Sequence, residues 1–176
     1  MTQTTNLLDI AAWPADRLIL ALFAGSAGIL LLALGFEHLG GYQPCHLCLL
    51  QRWAYYAGIG GGLAAWLLAQ QGQRSYAGWL LALIGLGFLL NAMLGIYHAG
   101  IEWHLWTGPA SCTGSGAALT TEAGGLLNAI ENTRIARCDE ANWRFAGISM
   151  AGWNVLISFG LSCLAVLGYR RLVAAS

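Results

Sequence analysis

Four apolar stretches dominate this chain, at about 18–36, 48–69, 75–97 and 145–169, and each is bounded by charge or histidine. Each is near the roughly 20 residues that a helix needs to cross a bilayer. With 176 residues the chain has the length of one domain, but a 57% hydrophobic and 9% charged composition does not suit a soluble core of that size. The expected fold is therefore an all-α membrane protein, a four-transmembrane-helix bundle that forms a single integral domain over 1–176. The apolar run after Arg17 looks superficially like a signal peptide. It is span-length, its leader carries Asp9 and Asp16, and no clear cleavage site follows, so it is read as a retained span. Eight arginines and no lysine balance eight acids, leaving no basic stripe for nucleic acid; the lipid bilayer is the expected surroundings.

The loops expected on one side of the bundle are 37–47 and 98–144, joined on the other side by a short connection at Gln70–Arg74. Only the loop 98–144 is long enough to carry chemistry, and an even number of spans puts both termini on one side. The arginines do not orient the bundle, because Arg17, Arg74, Arg170 and Arg171 fall on one side and Arg52, Arg134, Arg137 and Arg144 on the other. The cysteines do. Cys45, Cys48, Cys112 and Cys138 all fall opposite the termini, and four segregated thiols point to a compartment where disulfides persist. The cysteine loops are thus expected to be periplasmic and the termini cytoplasmic.

The stretch from Gln43 to Arg52 concentrates the chemistry. Pro44 fits the first position of a helix, which would put Cys45 and Cys48 in the first turn, where unpaired backbone N–H groups favour a thiolate. Arg52 follows Cys48 by four residues on the same face, close enough to stabilise a sulfur anion. A lone CxxC also fits half of a metal site or chance. Zinc would recruit Cys45 and Cys48 with His46 or His38, and Cys112 and Cys138 beyond them, but no compact second ligand pair follows, so no metal is assigned. Cys112 and Cys138 fit a purely structural disulfide as well as a redox pair. His98 reads as a span boundary or as a site neighbour, and Cys163 as a buried apolar residue.

Asn91 and Asn154 inside spans suggest interhelical hydrogen bonds, and Gly58 and Gly62 suggest close packing. Trp103 and Trp106 read as interfacial anchors, and Leu119, Ala123, Leu126, Leu127 and Ile130 recur at the spacing of a short surface helix. Cys112, before Thr-Gly-Ser-Gly, is expected to be more accessible than Cys138, which Arg134 and Arg137 would make the better leaving thiolate.

Phe36-x-His38, Pro44-Cys45-x-Leu47-Cys48-x-x-x-Arg52, Tyr97-His98, the Cys112 and Cys138 pair and Trp143-x-Phe145-x-Gly147 together resemble the bacterial disulfide bond formation protein B (DsbB) family of quinone-dependent thiol oxidases. The resemblance covers nearly the whole chain. It implies a four-helix bundle in the bacterial inner membrane that reoxidises a periplasmic DsbA-like dithiol oxidase and passes electrons to a quinone, ubiquinone or menaquinone. It further implies that Cys112 and Cys138 face the partner, with the mixed disulfide at Cys112, and that Cys45 and Cys48 face the quinone. Cys48 would then be the thiolate that contacts the quinone ring, Arg52 would hold that ring and His98 would neighbour it. The competing reading is a non-enzymatic membrane module with structural disulfides or a bound metal.

Overall fold

The computed structural model describes residues 12–109, 112, 137–141 and 143–174. Four long helices run through them: α1 (Ala15–His38), α2 (His46–Gln70), α3 (Arg74–Glu102) and α4 (Met150–Val173). Of these, α1, α3 and α4 are both long and apolar enough to cross a membrane. Although α2 has the length, Gln51, Arg52, two tyrosines and four glycines thin out its apolarity. The predicted surface helix over 119–130 lies outside the described residues.

The helix ends follow local chemistry. Asp16 sits in the first turn of α1, where a carboxylate complements the helix dipole, and Arg170 and Arg171 close the last turn of α4. Gly72, at φ +78°, takes the left-handed conformation that lets α2 turn into α3. Ser149 caps α4 by accepting a hydrogen bond from the Gly152 N–H at 3.2 Å. The fourth apolar stretch therefore does not start as helix at Phe145. Arg144–Phe145 (β1) and Ile148–Ser149 (β2) pair instead as a small antiparallel hairpin, turned by Ala146 and Gly147 at positive φ. α3 runs past the predicted limit at Tyr97 to Glu102, which keeps His98 and Glu102 on the same helix, four residues apart.

The helices pack around Leu22, Leu81, Ile84, Phe88 and Ala165, with α3 against α4 the most extensive pairing. Gly58 sits where a Cβ would lie 2.5 Å from Ser26 Oγ and 2.7 Å from Phe88. Its missing side chain is what lets α1, α2 and α3 approach, as the packing reading expects. Asn91 and Asn154 also follow the packing reading: the Asn91 Nδ2 donates to Ser158 Oγ at 2.9 Å and to Asn154 Oδ1 at 3.4 Å, bonding α3 to α4. Many large apolar side chains point outward, among them Leu31, Trp53, Trp79 and Leu83, and such a surface suits lipid. Cys163 belongs to this outer surface and not to the core, contrary to the sequence reading. In a helix with lipid on one side, an apolar position need not be interior.

Candidate functional site

Cys45 is the N-cap of α2, so Pro44 precedes the cap and does not occupy the first helical position. The Cys45 Sγ accepts the Cys48 N–H at 3.3 Å, and the two sulfurs lie 2.8 Å apart. His98, reaching across from α3, places Nε2 3.6 Å from Cys45 Sγ. The Cys48 side chain donating to it draws the Cys45 thiol down from 9.0 to about 4; burial opposes this, and His98 and the Cys48 backbone add to it. Cys45 is the sulfur poised as a thiolate, while Cys48 is the less buried of the two.

Cys112 and Cys138 form a disulfide, reinforced by the Cys138 N–H donating to the Cys112 carbonyl at 3.1 Å. Both are buried, at 1% and 0% exposure, so accessibility does not separate them as expected. They share one apolar cluster with Cys45, Leu47 and Ile101, against which Cys48 packs. Nor is Arg137 free to favour a Cys138 thiolate: it donates two hydrogen bonds to Asp139, at 3.0 and 2.7 Å, and holds that carboxyl below its usual range. Arg134 lies outside the described residues.

Arg52 does not snorkel to solvent. Its Nη1 donates to Glu37 Oε2 at 2.5 Å, tying the start of α2 to the end of α1. Cys45, Cys48, Arg52 and His98 all line one cavity of about 410 Å³, walled by Ile29, Leu30, Ala33 and Ile157 and rimmed by aromatic rings. Trp143 bridges that rim, 5.3 Å from Phe36 and stacked at 5.9 Å on Phe145. The cavity thus combines a largely apolar lining with a cation and two sulfurs.

Sequence reasoning missed several lining residues. Glu37 hid as the unspecified middle position of Phe36-x-His38, and Gln51 as the residue before Arg52. Glu102 sits 4.0 Å from His98 Nε2 through its Oε1, a pairing that the i,i+4 spacing could have signalled had the helix been drawn past Tyr97. His38 and His46, the histidines weighed for zinc, are exposed; the histidine that meets the sulfurs is His98. Cys45, Cys48 and His98 bring their ligand atoms within 4.8 Å of one another, a grouping that could also hold a soft cation.

A family model described as disulfide bond formation protein DsbB matches residues 15–168. The chain is similar to the disulfide bond formation protein B of Marinobacter nauticus, with 32% identity, covering 83% of this chain and 84% of the relative. It is likewise similar to those of Azoarcus sp. strain BH72, at 30% identity over 89% and 93%, and of Polaromonas naphthalenivorans, at 32% over 95% and 92%. No solved structure gives a significant match.

Proposed function

The chain belongs to the DsbB family, and on that footing we propose that it is an inner-membrane oxidoreductase that reoxidises a periplasmic DsbA-like dithiol oxidase and passes the electrons to a membrane quinone. The observation that carries this reading is the packing of both cysteine pairs into one buried cluster at the edge of an apolar cavity holding Arg52 and His98. In this reading α2 is the fourth span, about 37 Å long at 1.5 Å per residue, the loop 98–144 is periplasmic and the termini are cytoplasmic.

The partner's thiolate attacks Cys112 Sγ; a new S–S bond forms as the Cys112–Cys138 bond breaks, and Cys138 leaves as a thiolate. The partner's second thiol then displaces Cys112, so the partner departs as a disulfide and the loop pair holds the two electrons. Because both loop sulfurs are buried, the cluster must open before this attack. The reduced loop pair next exchanges with a Cys45–Cys48 disulfide in the same cluster, which needs no long movement of charge through the bilayer. Oxidation of the Cys45 thiolate and the Cys48 thiol to a disulfide releases two electrons and one proton, for which a quinone bound in the cavity would be the acceptor. His98 Nε2, 3.6 Å from Cys45 Sγ, is placed to hold the second proton, the one that Cys45 has given up, and Arg52 offers N–H donors to a ring oxygen.

Detergent-solubilised protein should reduce added quinone only when a reduced DsbA-like protein is supplied, and Cys45→Ser and Cys48→Ser should each abolish turnover. Full turnover in either variant would overturn the relay. The grouping of Cys45, Cys48 and His98 also favours a second reading, in which the module binds a soft metal without turning over. Metal analysis of the reduced protein separates the two, since that reading requires stoichiometric metal.

A further inference from the structure

Reduction of the CxxC leaves a buried cluster with several anionic donors and little positive charge. Cys45 Sγ, Cys48 Sγ and His98 Nε2 lie within 4.8 Å of one another. Glu102, which takes no part in the thiol exchange, brings a fourth donor. Its Oε1 stands 4.0 Å from His98 Nε2, the residue is 8% exposed, and its Oε2 is buried with no hydrogen-bond partner among the described residues. The arginines nearby are engaged or set apart: Arg52 donates to Glu37, and Arg144, whose charge reaches Glu102, sits on the exposed strand β1. A buried carboxylate oxygen beside a thiolate is unfavourable unless a cation meets them.

The spacing suits a metal ion. Zinc held tetrahedrally, at about 2.3 Å from sulfur and about 2.05 Å from nitrogen, sets those two ligand atoms about 3.6 Å apart. Cys45 Sγ and His98 Nε2 are 3.6 Å apart. Two sulfurs on the same ion would stand about 3.8 Å apart. They are 2.8 Å apart here, so Cys48, the less buried of the two, has to swing outward. Ser149 steadies the fourth donor: its hydroxyl hydrogen-bonds the Glu102 carboxyl while its oxygen caps α4 by accepting the Gly152 N–H. All four donors line the cavity, which gives an ion its way in. Two thiolates, an imidazole and a carboxylate form a donor set for zinc, whereas calcium and magnesium take oxygen ligands.

We propose that the reduced, quinone-free protein binds one Zn²⁺ through Cys45, Cys48, His98 and Glu102, and that the bound ion holds the relay off. The proposal rests on the thiol relay above and deepens it. It differs from the non-enzymatic module in placing the ion on a protein that turns over whenever the ion is absent. Binding oxidises nothing: Cys45 enters as the thiolate, Cys48 gives up its proton to solvent, and two Zn–S bonds form. The disulfide form offers zinc no thiolate. Zinc and quinone therefore compete for the dithiol, one by holding its electron pairs and the other by removing its electrons.

The test titrates Zn²⁺, against a chromophoric chelator, into the full chain in detergent and into its Cys112→Ser/Cys138→Ser variant, which removes the loop thiols as rival ligands. The reduced variant should bind one ion per chain, and its Co²⁺ form should show thiolate-to-metal charge-transfer bands with the intense visible bands of tetrahedral coordination. The disulfide form should bind zinc at least about tenfold more weakly, and His98→Leu and Glu102→Gln should each cost the reduced form at least about tenfold. Glu102→Gln keeps the size of the side chain and an oxygen for Ser149, so it stands as a test whether or not His98→Leu folds. In turnover of the parent protein, zinc should raise the quinone KM and leave kcat at saturating quinone within about twofold. Equal zinc affinity in the disulfide form, or an affinity unchanged in either variant, would overturn the proposal, as would inhibition that added quinone does not relieve. Absence of turnover in zinc-free protein kept in chelator would overturn the relay itself.

Discussion

Replacing Arg52 with alanine separates two roles that one side chain combines. Arg52 holds Glu37 at 2.5 Å with both side chains mostly buried, at 13% and 26% exposure, and it also lines the cavity. A charge-assisted hydrogen bond contributes about 1.5–3 kcal/mol, and each 1.36 kcal/mol is a factor of ten, so loss of the guanidinium should raise the quinone KM by roughly 10- to 150-fold. The KM for the reduced partner should stay within about twofold, because Arg52 is not part of the cluster that holds the loop disulfide. The same change leaves the Glu37 carboxylate without its cation beside an apolar wall, so thermal stability should fall as well.

Glu37→Gln in the Arg52→Ala background removes that stranded charge. The double variant should therefore recover most of the lost melting temperature and none of the lost quinone affinity. Arg52→Lys should recover the affinity only in part, since an ammonium lacks the planar fork. The assay is steady-state turnover with each substrate varied at saturating concentration of the other, alongside thermal unfolding in detergent. An unchanged quinone KM in Arg52→Ala would reduce Arg52 to a strut for Glu37. Recovery of quinone affinity in the double variant would show that the loss came from the stranded carboxylate.

In reduced, quinone-free protein the Cys45 thiolate absorbance should persist as pH falls to about 5 and disappear through about 4, because its pKa is depressed and protonation comes only below that value. Cys48→Ala removes the largest cause and should move the midpoint upward, whereas an unmoved midpoint would mean that Cys48 does not hold the charge. Gly58→Ala should destabilise the bundle by about 1–3 kcal/mol, read as a lowered melting temperature, since the new methyl would meet Ser26 and Phe88. A melting temperature unchanged in that variant would mean that the helices can part there without cost.

What the sequence made legible was whatever depends on residue type at short spacing. The apolar stretches, the CxxC and the Arg52 register are of this kind, and the structure places Cys45, Cys48, Arg52 and His98 around one cavity. What it left hidden depends on where a helix stops and what lies across from it. Predicting the end of α3 at Tyr97 dropped Glu102 from the face of His98, whereas the helix runs on through Gly100, a residue that elsewhere often ends one. Gly100 also leaves room for Trp106, whose ring would overlap any Cβ at that position and stacks on Tyr97. Trp106 is thereby partly a packing residue and not solely an interfacial anchor. The Glu37–Arg52 and Tyr55–Asn154 contacts join residues 15 and 99 positions apart, and no local periodicity encodes them. Cys112 misled for a related reason: small polar neighbours in sequence said nothing of the Cys45, Leu47 and Ile101 side chains that cover it.

Burial of the sulfurs explains how so reactive a thiolate can serve a directed relay. A thiolate with a pKa of about 4 is ionised throughout the physiological range, and disulfides that reached it could exchange with it. At 4% exposure, Cys45 can meet only what the fold brings to it: Cys48, the loop disulfide in the same cluster, and a ligand in the cavity. The low pKa supplies the reactivity, and packing decides with whom it is used. The same packing covers Cys112 and Cys138, so access for an outside dithiol requires the cluster to open, while transfer to Cys45 and Cys48 requires it to close. Insulation and turnover are thereby opposed in one group of side chains. Ile101, buried at 1% on the last turn of α3, shares that cluster with both pairs.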